Sequence, residues 1–293
     1  MSAAEDFRSG KGESDENFPV GSFLIAPRHR PAIFAFYRFA RTADDVADHE
    51  TLEPARKLEI LERMRATLAG ESDADVPALA LRQVLAERRL SPRHGLDLLE
   101  AFRRDVVKLR YADWGELMDY CRYSAAPVGR MVLDIHGEPQ ATWPANDALC
   151  AALQVINHLQ DCGKDRRALD RVYIPADAFA AAGATVDDLD RAAASPALQT
   201  AIRGLAERTL GLLAASRPFA SQISDDRLRL EVGFIQRVAE DLARRLVRRD
   251  PLSERVHHNK VELVGLAGST LIRLWREPRA LPPGGAQTAR SPS

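Results

Sequence analysis

Apolar residues recur at i, i+3, i+4 and i+7 along most of the chain, the spacing that lines one face of an α-helix. The stretches "TLEPARKLEILERMRATLAG", "ALALRQVLAERRL", "ALQTAIRGLAERTLGLLAASRPFASQI" and "DRLRLEVGFIQRVAEDLARRLVRRD" show it most plainly. Alternating β-branched runs are missing, and breaks fall at Gly70, Pro92, Gly137, Pro144 and Pro251. The pattern predicts an all-α fold, a single bundle of roughly eight to ten helices whose facing helices build the chemistry around a central cavity. No internal repeat and no compositional shift divides the body in two.

The ends differ from the body. The polar residues 1–14 read as a disordered arm without the apolar run of a signal peptide, and the Pro/Gly/Ser-rich residues 279–293 as a disordered tail. Residues 15–278 are the expected folded domain. No stretch is apolar for long enough to span a bilayer. With 41 Lys plus Arg against 42 Asp plus Glu, the balance gives no basic footprint for nucleic acid. Cys121, Cys150 and Cys162 form no C-x-x-C pair and are odd in number, which argues against a zinc site or a disulfide framework and for a reducing cytoplasm.

Two polar stripes interrupt the apolar pattern. In "YRFARTADDVADHE", Tyr37, Arg41, Asp44 and Asp48 follow one another at steps of four, three and four, so one helix face carries them all. Asp45 points roughly 100° away from Asp44. In "ALQVINHLQDCGKD", Gln154, Asn157, Asp161 and Asp165 form a second stripe, with His158 off its line and read as a helix neighbour. A lone D-x-x-x-D is ordinarily a solvated face. Here both stripes sit among apolar residues, and buried like charges need compensation. Oxygen-only donors without His or Cys at ligand spacing favour Mg²⁺, which completes its shell with water and phosphate. A diphosphate is therefore the natural substrate group.

These motifs carry a resemblance. "YRFARTADDVAD", "QVINHLQDCGKD" and the following "RVYIP" resemble the aspartate-rich motifs of the squalene/phytoene synthase family, and the likeness runs from about Glu16 through "RVHHNKVELVGLAGSTLIRLW". "ENFPVGSFLIAP" and "FRRDVVKLRYADWGELMDYCRYSAAPVGRMVL" are most similar to the bacterial hydroxysqualene synthases of hopanoid biosynthesis, the HpnC type. The resemblance implies an isoprenoid-synthase bundle that ionises presqualene diphosphate with Mg²⁺. The cation would then rearrange and be quenched with water to hydroxysqualene, without NADPH. Presqualene diphosphate or phytoene synthesis from two prenyl diphosphates is the alternative on the same scaffold, and an inactive binding subunit the alternative of another class. A reductive squalene synthase is disfavoured by the lack of a G-x-G-x-x-G fingerprint.

By position, the resemblance assigns Asp44, Asp48, Asp161 and Asp165 to Mg²⁺, with Asn157 beside them. Tyr37, Arg41, Tyr120 and Gln154 would line the diphosphate and cation region, and Arg171 and Tyr173 would close over the diphosphate. Pro127 in "SAAPVGR" predicts a kinked helix, with a plain helix break as the alternative; in the family this helix borders the prenyl tunnel, with Ala125 and Gly129 leaving room for the chain. Phe18, Phe34, Phe102, Val132, Leu133 and Leu153 are candidate apolar walls, although core is the default for each. Lys108 and Arg110 read first as a solvated basic face. Two departures stand out: "NFPVGS" replaces the usual phosphate-contacting serines, leaving Ser22 without that role, and "RRALDRV" lacks the Gly of R-G-R-x-Y and is one residue longer.

The implied partners are the prenyl diphosphate and neighbouring squalene-pathway enzymes, with no nucleic acid. The lipophilic substrate and Arg-rich "LARRLVRRD" also fit contact with the inner face of the cell membrane, though solvated helix ends explain those arginines equally well.

Overall fold

The computed structural model describes residues 25–276. The expectations for residues 1–14 and 279–293, and for Phe18 and Ser22, lie outside that range. Thirteen α-helices are present among the described residues. The chain opens with α1 (Arg30–Ala47), α2 (Pro54–Ala69), α3 (Val76–Glu87) and α4 (Arg93–Val107). The central run is α5 (Trp114–Ser124), α6 (Ala126–His136), α7 (Trp143–Gln160), α8 (Cys162–Leu169) and α9 (Ala176–Ala182). It ends with α10 (Pro196–Ala215), α11 (Phe219–Gln222), α12 (Asp226–Leu246) and α13 (Lys260–Arg276).

The number exceeds the periodicity estimate because short turns such as α8, α9 and α11 carry too few residues to show a period. The predicted breaks act as their chemistry requires. Gly70 and Gly137 cap α2 and α6 in the left-handed region, with φ of 86° and 75°. Pro144 sits in the first turn of α7, where its missing N–H is no loss. The side chains of Asp75, Asp113, Ser195 and Asp225 cap α3, α5, α10 and α12.

At "SAAPVGR" the expected kink is a full break. Helix α5 ends at Ser124, Ala125 takes φ −110° and ψ −49°, and Pro127 falls in the first turn of α6. A proline is tolerated there, so a new helix starts in place of a bent one. Gly129 has a packing explanation, because an added Cβ would collide with Asn146 and Cys150 of α7. Ala125 is buried beside it.

Two buried apolar clusters hold the bundle. The smaller joins Phe36, Phe39, Ile60, Met64, Leu81 and Leu99 of α1–α4, and the larger runs from α4 to α12. They meet along α4 and α6: Ala101 and Leu133 belong to the larger, Leu98 and Met131 to the smaller. Phe102 packs on the smaller cluster and Val132, Leu133 and Leu153 in or on the larger, whereas Phe34 is 36 % exposed. The three cysteines are free thiols. No described helix is long and apolar enough to cross a membrane.

Candidate active site

The first stripe ends α1. Asp44 lies in its last turn and Asp48 is its C-cap, with the Asp48 N–H donating to the Asp44 carbonyl at 2.9 Å. Arg41 reaches two carboxylates, Asp44 at 3.2 Å and Asp45 at 2.8 Å, so Asp45 shares a cation with the stripe despite its angular offset. Tyr37 stands half-buried one turn before Arg41.

The second stripe is broken by a helix end. Asp161 caps α7 and opens α8, and Asp165 lies in the first turn of α8. The Asp165 N–H still donates to the Asp161 carbonyl at 2.8 Å, which preserves the i+4 step across the break. Asn157 and Gln154 lie half-buried on α7.

Electrostatics bring the stripes together. The Asp44 carboxyl is lifted to about 7 by burial first and by Asp48 next, with Arg41 opposing, while 38 % of its side chain stays open. Asp165 is also lifted to about 7, by burial and then by Asp161 and Asp48. Asp48 thus acts on carboxylates of both stripes, as one acidic pole requires. Among the described residues no three His, Cys, Asp or Glu side chains form a ready metal cage. An oxygen-only acidic set without a closed cage fits Mg²⁺, which keeps several waters and takes substrate phosphate as ligand.

Behind this pole lies a network in which the sequence reading missed two members. Asp105 of α4 is buried and accepts from the Tyr120 hydroxyl at 2.8 Å and the Tyr173 hydroxyl at 2.9 Å. Arg171 donates through Nη1 to Asp48 at 2.8 Å and through Nη2 to the Asp105 carbonyl oxygen at 3.0 Å. Burial raises the Asp105 carboxyl to about 6, against the pull of Arg171. The signal was available: Asp105 falls four residues after buried Ala101 and seven after buried Leu98, a carboxylate on the apolar face of α4.

His158 was the second omission. It is a helix neighbour of the stripe, yet its ring stacks on Tyr173 with centroids 3.4 Å apart and planes 13° apart. Burial, then Arg171, pushes its pKa down to about 3, so the imidazole is neutral. The Gln154 amide donates to its Nε2 at 3.0 Å. Lys57 of α2 also faces the pole; its Nζ donates to the Ala47 carbonyl at 2.9 Å, and burial and Arg171 lower its pKa while Asp48 raises it.

The altered loop before Tyr173 has its own solution. Asp170 adopts the left-handed φ of 50° that a glycine would otherwise supply, a conformation Asp tolerates better than most residues. Its carboxylate pairs with Arg110 and Arg166. The Val172 N–H donates to the Leu109 carbonyl at 2.9 Å and the Ala176 N–H to that of Tyr111 at 2.9 Å, stitching the loop to residues 109–111. Lys108 pairs with Glu116. Arg110 therefore braces the loop that carries Arg171 and Tyr173, while Lys108 ties the end of α4 to α5.

The squalene/phytoene synthase family model matches residues 12–262. The chain belongs to the squalene/phytoene synthase family. A hydroxysqualene synthase of Rhodopseudomonas palustris is 56% identical over 277 residues, spanning 93% of this chain and 95% of that protein. One from Zymomonas mobilis is 59% identical over 261 residues, 88% of each chain. Among solved structures, squalene synthase HpnC from Alicyclobacillus acidocaldarius superposes with a TM-score of 0.70 at 33% identity, covering 84% of this chain and 92% of that one. In this member of the family both aspartate motifs, Arg171 and Tyr173 lie around one pole, and Tyr120 joins them through Asp105.

Proposed function

We propose that the chain is a hydroxysqualene synthase acting on presqualene diphosphate. The observation that carries the reaction assignment is its 56% and 59% identity to two hydroxysqualene synthases over most of both chains. The geometry supports a diphosphate at the acidic pole. Asp44, Asp48, Asp161 and Asp165 would hold Mg²⁺, with Asn157 beside them, and the bound ions would neutralise charge on the departing diphosphate. Arg41 would offer its guanidinium to the remaining phosphate oxygens, and Arg171, with its two Nη groups held by Asp48 and the Asp105 carbonyl, would fix Asp48 and add positive charge behind the diphosphate. Lys57 adds a further cation at the rim.

The C–O bond to diphosphate breaks with both electrons leaving on oxygen, giving a cyclopropylcarbinyl cation. Rearrangement yields an allylic cation, a water oxygen adds to it, and one proton is released. Tyr37 would offer a π-face to a passing cation, with Tyr120 and Tyr173, their hydroxyls held by Asp105 and the Tyr173 ring stacked on His158, forming the wall behind it. Gln154, held against neutral His158, orients an amide dipole from the same helix as Asn157. Ala125 remains a proposed contact for the prenyl chain, whereas the space over Gly129 is taken by Asn146 and Cys150 of α7. Neighbouring squalene-pathway enzymes would supply the substrate and take the product, with cytoplasmic or peripheral membrane placement fitting its lipophilic character.

The test is incubation of purified protein with presqualene diphosphate and Mg²⁺ without NADPH, followed by mass spectrometry of the extract. Hydroxysqualene, abolished by EDTA and by Asp161→Asn, is the expected result. Unchanged substrate, together with consumption of farnesyl or geranylgeranyl diphosphate, would move the chain to the condensing enzymes.

A further inference from the structure

The loop between α12 and α13 is fixed against the end of α7. Asp250 is buried and accepts from the Leu252 N–H at 2.9 Å, the Ala194 N–H at 2.8 Å and the Ser253 hydroxyl at 2.7 Å. Val256 is buried in the larger apolar cluster, and its carbonyl accepts from the side-chain amide of Gln160, the residue before Asp161. Beyond it, Arg245 donates to the His257 carbonyl at 3.1 Å, and the His258 ring donates to Asp241 at 2.8 Å. The backbone that carries His257 is therefore held on both sides, next to the second aspartate stripe.

The His257 side chain is not tied down in the same way. Its Nδ1 is buried without a hydrogen-bond partner. Burial and then Arg255 push its pKa below the usual imidazole value, with Asp161 pulling the other way, so the ring is neutral at pH 7. A proton on the enclosed Nδ1 would have no acceptor, so the neutral ring carries it on Nε2. The residue is half-buried, which leaves the outer edge of the ring, with Nε2, as its open part. A preplaced N–H donor thus stands close enough to Asp161 to feel its charge.

We infer that His257 is a further diphosphate-binding residue, donating from Nε2 to a phosphate oxygen on the Asp161 side of the acidic pole. Mg²⁺ prefers oxygen ligands, so an imidazole at this edge suits the anion and not the ion. A hydrogen bond to an ionised phosphate is stronger than one to a neutral acceptor, and exposed Arg255 adds positive charge near the ring. His257 would serve the Asp161 side as Arg171, bonded to Asp48, serves the other motif. The inference rests on the reading of the pole as a metal–diphosphate site and extends it to the loop after α12.

The test is titration calorimetry of inorganic diphosphate into the full-length protein in excess Mg²⁺. His257→Gln keeps an N–H donor, whereas His257→Leu and His257→Phe fill the space without one, so a folding failure of one donor-free variant leaves the other. Both donor-free variants should raise Kd at least about tenfold, the scale of one hydrogen bond to a charged group, and His257→Gln should stay within about threefold of the wild type. Equal Kd values in all the proteins would overturn the inference. So would equal losses in the Gln and donor-free variants, which would assign the ring to packing. No diphosphate binding by the wild type would overturn it together with the role of the acidic pole. Because calorimetry uses no prenyl substrate, an unchanged Kd beside a positive product assay would sink this inference alone.

Discussion

Arg171 Nη1 donates to Asp48 Oδ1 at 2.8 Å, joining positions 123 residues apart in the chain. The contact ties the end of α1 to the loop that follows α8, and the same guanidinium also holds the Asp105 carbonyl. A lysine keeps the charge but cannot span both acceptors, since its donors radiate from a single nitrogen. Arg171→Lys is therefore expected to lower kcat about 10–100-fold, on the scale of losing a residue that orients a metal ligand. Retention of full kcat with only a raised KM would assign Arg171 to uniform substrate binding.

Asp105 makes a different prediction. Its two carboxylate oxygens accept from two tyrosines, so Asp105→Asn replaces one acceptor with an N–H₂ that faces a hydroxyl already donating. It also removes a negative charge near buried Arg171. The expected cost is about 1–3 kcal/mol of stability from the mismatched hydrogen bond. For a chain of this size that lowers Tm by a few degrees, about 2–4 °C per kcal/mol. Differential scanning calorimetry decides it, and an unchanged Tm would mean that the tyrosine hydroxyls repartner without loss.

Gly129 offers a test confined to packing. A methyl group there would sit 2.7 Å from Cys150 Sγ and strike Asn146. Gly129→Ala should destabilise by about 1–3 kcal/mol, the usual range for overpacking, seen as a lower urea midpoint. Combining it with Asn146→Ala should recover part of the loss if steric conflict is the cause.

The legible parts of this molecule were those written in local spacing. Asp44 and Asp48, and likewise Asp161 and Asp165, are four residues apart, and helical geometry alone puts each pair on one face. The C-caps at Gly70 and Gly137 and the helix start at Pro144 were legible because their backbone preferences are intrinsic. The Arg171 contacts to Asp48 and Asp105 were hidden, since nothing local links positions 48, 105 and 171. His158 was set aside for its angle on the α7 wheel, which is blind to Tyr173 arriving from another segment. The break at Ala125 was misjudged as a kink because proline is tolerated in the first turn of a new helix as well as at a bend.

His158 gives a pH test whose sign is fixed. Its folded pKa of about 3 lies below the usual value of about 6.5, so the unfolded chain takes up a proton first as the pH falls. Its stabilising contribution is complete above about pH 6.5 and drains away toward pH 3, by at most about 1.4 kcal/mol per unit. The stability advantage of the wild type over His158→Gln should shrink between pH 7 and pH 5 in urea titrations. An advantage independent of pH would show that the imidazole titrates alike in both states.

The acidic pole works in the opposite sense. Asp44 and Asp165, raised to about 7, hold protons in the folded metal-free protein that the unfolded chain has released above about pH 4. Their contribution is greatest at acid pH and is lost as pH rises through 7, so at pH 8 the metal-free fold carries crowded ionised carboxylates. Asp44→Asn should raise Tm at pH 8 while abolishing turnover, because neutralising one carboxylate relieves the repulsion by Asp48. Mg²⁺ with inorganic diphosphate should raise the wild-type Tm more than that of Asp44→Asn, since saturation at 100 times Kd is worth about 2.7 kcal/mol to a protein that binds. Equal shifts in the two proteins would place the ion elsewhere, and a wild-type Tm indifferent to both ligands would remove the acidic pole as a metal–diphosphate site.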